Sequence, residues 1–243
     1  MTFEDPSPHW QDAETDLFLR FGDVFVPRRD EQVKAICALL AHLPDAAVLE
    51  LGCGGGILTD AILAAEPDRS VTAVDASAAM IDAARQRLKA YGDRIRFCHA
   101  DLAGTQWRTG AYGAVVTSLA VHHLDDGQKR SLLRSVRGLL RPGGVYVQCD
   151  LVLPATAASH ELAARQWEAA VEEQSLTLYG SDAGLTAFRQ ARWNLYRHPD
   201  PADRPARLAD HIGWLSAAGF TDVDVCWALA GHVILAATRP LEV

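Results

Sequence analysis

A run of glycines, two carboxylates and a histidine occupy positions where they could handle a nucleotide-like ligand. The glycines are Gly52, Gly54, Gly55 and Gly56, in Glu50-Leu-Gly-Cys-Gly-Gly-Gly-Ile57. Glycine there permits positive φ and lets a ligand approach the main chain where a Cβ would collide. Asp75 ends a second apolar run, Val-Thr-Ala-Val-Asp, which sets a carboxylate beside the first turn to accept from both hydroxyls of a ribose. Its alternative duty, capping the next helix, fits Ser77 better. Asp101 follows a third run, Ile-Arg-Phe-Cys-His-Ala-Asp, where it either meets an adenine amino group or serves as an ordinary turn acid. His122 ends a fourth run and is the candidate general base, since imidazole titrates near neutrality. His123 is expected to point elsewhere, and His232 is a second candidate. The glycine spacing alone also fits the turn of NAD-binding proteins.

These residues need strands that end beside one another. Short apolar segments at 47–51, 71–75, 95–99, 114–118 and 145–152 read as strands, and 77–90 and 126–140 as helices between them. Helix-like spacing also covers 11–21 and 30–42, with Pro27 and Pro44 as breaks. The end reads as strands at 221–227 and 232–238, whose turn around Gly231 is too short for a crossover and makes them antiparallel. Residues 160–173 and 181–196 read as lid helices, followed by an extended link with Pro199, Pro201 and Pro205. Such a lid closes over the reacting group. Its aromatics are expected mainly to pack it onto the sheet, with Tyr179, Arg192 and Trp193 as the lid residues to meet an acceptor.

Composition limits the classes open to the chain. Its 243 residues, 49% of them apolar, suit one doubly wound α/β domain. That domain divides into an N-terminal helical cap (1–44), a core (45–152), a helical lid (153–207) and a C-terminal helix with hairpin (208–243). Nothing in the sequence reads as a membrane span or a signal peptide, so a cytoplasmic protein is expected. The five cysteines are odd in number and scattered, which fits reduced thiols, and no metal site is expected. A net charge of −8 disfavours nucleic acid as a partner, and a homodimer remains open.

The ordered segments Glu50-Leu-Gly-Cys-Gly-Gly-Gly, Val-Asp75, His-Ala-Asp101-Leu, Tyr112-Gly-Ala-Val-Val-Thr-Ser118-Leu-Ala-Val-His-His-Leu124 and Leu140-Arg-Pro-Gly-Gly144 resemble the class I S-adenosylmethionine-dependent methyltransferases. The likeness is close over 45–152 and resumes at Trp214-Leu-Ser-Ala-Ala-Gly-Phe220. It implies a Rossmann-like sheet of seven strands with an antiparallel C-terminal hairpin, and S-adenosyl-L-methionine as cofactor. By the resemblance Glu50, Gly52 and Gly54, with Cys53 between them, face the methionine part, and Asp75 faces the ribose. Ala76 and Met80 flank the adenine, Asp101 and Leu102 meet its edge, and Ser118 lies near the sulfonium. It further implies methyl transfer to a small-molecule acceptor. The lid and C-terminus are also similar to the branch containing carboxy-S-adenosylmethionine synthase, which serves transfer RNA modification and holds its extra carboxylate with a tyrosine and a lid arginine. Here no tyrosine follows Pro27, and Arg192 is the arginine in the lid. A cofactor-binding protein without turnover is a further alternative, since fold does not establish activity.

Overall fold

The structure, a computed structural model, describes residues 12–43 and 46–242. Gln11 and Pro44, expected at a helix start and a break, lie outside them. Two helices come first, α1 (Asp12–Phe25) and α2 (Arg29–Leu40). A βα alternation follows: β1 (Ala47–Leu51), α3 (Ile57–Ala65), β2 (Ser70–Asp75), α4 (Ala78–Arg87), β3 (Ile95–His99), β4 (Tyr112–Ser118), α5 (Asp126–Leu139) and β5 (Leu140–Leu151). The chain then forms α6 (Ala157–Tyr179), α7 (Ala183–Gln190), α8 (Leu208–Ala217), β6 (Thr221–Leu229) and β7 (His232–Thr238). The strands make one seven-stranded sheet in the order β3-β2-β1-β4-β5-β7-β6. β1 to β5 pair in parallel, and β7 lies antiparallel to both β5 and β6. This is the mixed sheet expected from the sequence.

Helix ends follow local chemistry. Ser77 caps α4, its Oγ accepting from the Met80 amide at 3.3 Å, and Asp125 and Gln128 form a reciprocal capping box at the start of α5. The lid helices differ from expectation. Thr156 and Ser159 form a second capping box and Gly180 ends the helix in a left-handed conformation, so α6 runs well beyond 160–173 at both ends. The expected 181–196 helix stops early. Arg192 takes φ 54°, and the Trp193 amide turns back to the Phe188 carbonyl at 3.1 Å.

The core has two layers. Leu132, Val136, Tyr146, Leu215 and Phe220 cover one face of the sheet beside α5 and α8, and Ile36, Leu58, Ile62, Val147 and Cys149 cover the other beside α2 and α3. Every residue of β4 is buried, as a central parallel strand requires. A third cluster, with Phe25, Trp167, Val171, Phe188 and Tyr196, joins α1 to α6 and α7 as a cap.

Side chains from the cap fix its position. The Trp167 indole donates to the Phe25 carbonyl at 2.7 Å, and the Tyr196 hydroxyl donates to Val152 O at 2.8 Å. The Gln174 amide group lies within 3.1 Å of the carbonyls of Asp23, Val24 and Val26, and its Oε1 accepts from the Arg28 amide at 2.6 Å. The turn between α1 and α2 is therefore held from α6. Trp167→Ala should cost about 3–5 kcal/mol, the usual range for emptying a buried aromatic site. Urea unfolding checks this, and a loss below about 1 kcal/mol would show that the cap does not depend on the indole.

Candidate functional site

β1 ends in a turn that is sewn to the end of β2. The amides of Gly52 and Cys53 donate to the Val74 carbonyl at 2.8 and 2.9 Å, and the Gly54 amide donates to Asp75 Oδ2 at 2.7 Å. Asp75 Oδ1 accepts from the Ser77 amide at 2.9 Å. Burial raises the Asp75 pKa above its ordinary value, and these amides work against that rise. Each carboxylate oxygen keeps a further lone pair for another donor.

Two glycines in the turn have distinct steric reasons. Gly52 has φ 75°, and an added Cβ would stand 2.4 Å from the Ala120 Cβ, so the loop after β4 closes on it. Gly54 has φ 50° and an added Cβ would meet nothing within 4 Å. The space above Gly54 is open, and the Asp75 carboxylate that its amide holds lies beside it. Cys53 is buried in the turn with its thiol pKa pushed up, so it is inert packing there.

Behind the turn lies a buried carboxyl, held by a hydrogen bond from α3 and beside the charge of Arg29 on α2. Glu50 is 1% exposed, and its Oε2 accepts from Thr59 Oγ1 at 2.5 Å. Burial pushes its carboxyl up to about 8, against the Thr59 hydrogen bond and the charge of Arg29. Arg29, the first residue of α2, donates from Nη1 to Ser118 Oγ at 2.6 Å. Sequence reasoning gave Arg29 no role in the site. Arg28 has φ 50° and carries the strain of the turn held by Gln174, and that turn delivers Arg29 to the site.

The expected adenine side is assembled from loops. Met80 is buried at the start of α4, and Ala76 offers its carbonyl to His99 Nε2 at 2.8 Å. Asp101 Oδ1 accepts from the Ala103 amide at 2.7 Å, so it performs the turn duty, and the buried Leu102 accepts from the Trp107 indole at 3.2 Å.

His122 occupies a different environment. Cys149 points to α2, where its thiol donates to Gln32 Oε1 at 3.2 Å, so the next residue, Asp150, points to the opposite face of the sheet. There His122 Nδ1 lies 2.5 Å from Asp150 Oδ1, and its Nε2 lies 3.5 Å from Asp203 Oδ1. Burial opposes the charged ring, but Asp150 and Asp203 outweigh it and raise the His122 pKa above its ordinary value. His123 also turns to Asp203, its Nδ1 at 3.2 Å. Asp150 was legible by the logic that marked Asp75 and Asp101, an acid at a strand's carboxyl end. Asp203, in the proline-rich link, gave no signal. His232 is buried edge-on against Trp167 at 4.7 Å, and burial lowers its pKa to about 4.

The lid residues expected to meet an acceptor have packing or surface positions. Tyr179 stands edge-on to Phe21 at 5.8 Å with its hydroxyl donating to Arg20 O at 3.0 Å, and Trp193 stacks on Phe18 at 5.9 Å. Arg192 is exposed at the turn after α7.

An open α/β sheet with a glycine turn and an amide-held acid at its carboxyl edge is the arrangement shared by folds that bind dinucleotides and nucleosides. Residues 48–144 match the family described as a methyltransferase domain. The chain is 32% identical over 120 residues to an uncharacterized methyltransferase of Mycobacterium tuberculosis, covering 49% of this chain and 58% of the relative. It is 28% identical over 191 residues to demethylmenaquinone methyltransferase of Clavibacter sepedonicus, covering 77% of this chain and 71% of that one. The chain spans little more than half the length of the first curated relatives it matches. Among solved structures, an O-methyltransferase family protein from Burkholderia thailandensis superposes with a TM-score of 0.67 at 18% identity, covering 96% of this chain and 60% of that one.

Two outcomes test the site. Gly54→Val should abolish cofactor binding by filling the space above that residue, while Asp75→Ala should weaken it by about 1–3 kcal/mol, the scale of losing one polar partner; calorimetry with wild-type affinity for both would contradict the assignment. Glu50 holds its proton below about pH 8 in the free protein, and a cationic ligand favours the ionised carboxylate. Binding therefore releases a proton, and affinity should rise from about pH 6 to about pH 7.5 by up to roughly tenfold per unit. Glu50→Gln should flatten that slope, and a flat wild-type profile would contradict the role.

Proposed function

We propose that this chain is an enzyme transferring a methyl group from S-adenosylmethionine to a small-molecule acceptor. The observation that carries this is the open cradle above Gly54 beside the amide-oriented Asp75. When bound, S-adenosylmethionine supplies a sulfonium methyl that a nucleophile displaces in line, so alignment provides much of the acceleration. Asp75 receives the ribose hydroxyls, Arg29 meets the methionine carboxylate and Glu50 its ammonium. Gly52, Cys53 and Gly54 line the turn, Ser118 flanks the methyl group, and Ala76, Met80, Asp101 and Leu102 frame the adenine.

A small acceptor agrees with the acidic balance of the chain and with the name of one similar protein, demethylmenaquinone methyltransferase. The cap of α1, α6 and α7 gives such an acceptor shelter from water. His122 is the catalytic residue we assign to the acceptor side. Asp150 fixes its ring, and to take a proton at Nε2 it must first part from Asp203. Among the described residues no helix is long and apolar enough to cross a membrane, and we infer a cytoplasmic site of action.

Incubating the purified protein with methyl-labelled cofactor and fractionated small metabolites tests the reading. Label should move to a small molecule with release of S-adenosylhomocysteine, and His122→Ala should slow turnover by about a hundredfold or more with cofactor affinity kept. Cofactor binding without transfer to any fraction would favour a silent binding protein, and label in transfer RNA alone would favour the RNA-modifying reading.

A further inference from the structure

We propose that His122, His123 and Asp203 form a binding site for a divalent transition-metal ion of the zinc type, supported by Asp150. Asp203 Oδ1 lies 3.5 Å from His122 Nε2 and 3.2 Å from His123 Nδ1, and the three donor atoms all lie within 4.8 Å of one another. Donors on a tetrahedral ion with bonds of about 2.0–2.1 Å stand roughly 3.3–3.4 Å apart. Both His–Asp separations bracket that value.

The surroundings match a supported metal site. A metal-bound imidazole usually donates its other nitrogen to a carboxylate, which orients the ring, and Asp150 takes that place at 2.5 Å from Nδ1. Asp150 is itself fixed by the amides of Val121 and His122 on one oxygen and of Leu151 on the other. The link that carries Asp203 is tied down beside it. The Arg204 amide donates to the His122 carbonyl at 2.7 Å, and the buried Lys129 ammonium donates to the Arg204 carbonyl. Two imidazoles and one carboxylate suit zinc, cobalt or nickel better than magnesium or calcium, which prefer oxygen ligands. His123 and Asp203 keep 27% and 23% of their side chains exposed, which leaves an ion a way in.

Three protein donors leave one position of a tetrahedral ion open. That position would take a water or an acceptor oxygen. With the ion in place His122 Nε2 is a ligand and cannot collect a proton, so activation of a hydroxyl acceptor would pass to the metal. The inference goes beyond the methyl-transfer reading and is tested without it.

Chelator-treated, tag-free protein titrated with cobalt(II) should take up one ion per chain, with the visible absorption of a four- or five-coordinate site, and zinc should displace it. His123→Ala and Asp203→Asn should each weaken cobalt binding by about a hundredfold, and Asp150→Asn by about 10- to 100-fold. Calorimetric affinity for S-adenosylhomocysteine should stay unchanged in the first two variants, which shows that they fold. Wild-type protein that binds S-adenosylhomocysteine but takes up no cobalt at millimolar concentration overturns the proposal. Equal cobalt uptake by His123→Ala and Asp203→Asn overturns it too, because the ion then sits elsewhere.

Discussion

One hydrogen bond, from the Gly54 amide to the Asp75 carboxylate, organises the half of this molecule built around β1 and β2. It joins the turn after β1 to the end of β2, beside two amides that already share the Val74 carbonyl. A hydrogen bond to a charged group contributes about 1.5–3 kcal/mol, but its geometric effect matters more. With Asp75 held from one side by Gly54 and from the other by Ser77, the carboxylate is preorganised before any ligand arrives. The same knot fixes where α4 starts, because Ser77 is also its cap. The turn cannot move without disturbing both the acid and the helix.

The sheet divides the chemistry between its faces. Arg29, Ser118 and Glu50 lie with α2 and α3, whereas Asp150, His122 and the Asp203 link lie toward α5 and α8. The first group holds a cationic guanidinium against a carboxyl that burial keeps protonated at neutral pH. The second concentrates two carboxylates around imidazoles, an arrangement that demands positive charge. A methyl donor with both a carboxylate and cationic centres suits the first environment. The cap connects with the first group through Gln174, which shapes the turn that carries Arg29.

The pieces legible in the sequence were those set by local rules. Apolar runs ending on Asp75 and Asp101, the Ser77 cap and the short hairpin turn all follow from period, capping and loop length, and the strands they marked form as read. β5 starts at Leu140, ahead of the expected 145, because Gly143 and Gly144 bend within the strand and leave its pairing with β4 shifted by a bulge. The lid helices were displaced because Thr156 acts as a start signal and Gly180 and Arg192 as stop signals that periodicity does not weigh. Arg29, Gln174 and Asp203 were not legible as site residues. Each reaches its place through contacts between elements far apart in the chain, such as α6 with the α1–α2 turn, and no local pattern encodes such a meeting.

A crystal structure with S-adenosylhomocysteine soaked into the protein addresses the central claim directly. The account predicts density over Gly54, with both ribose hydroxyls within hydrogen-bonding distance of Asp75 and the homocysteine carboxylate facing Arg29. Density elsewhere, or an empty cradle in crystals that accept a nicotinamide dinucleotide at the same turn, would contradict it.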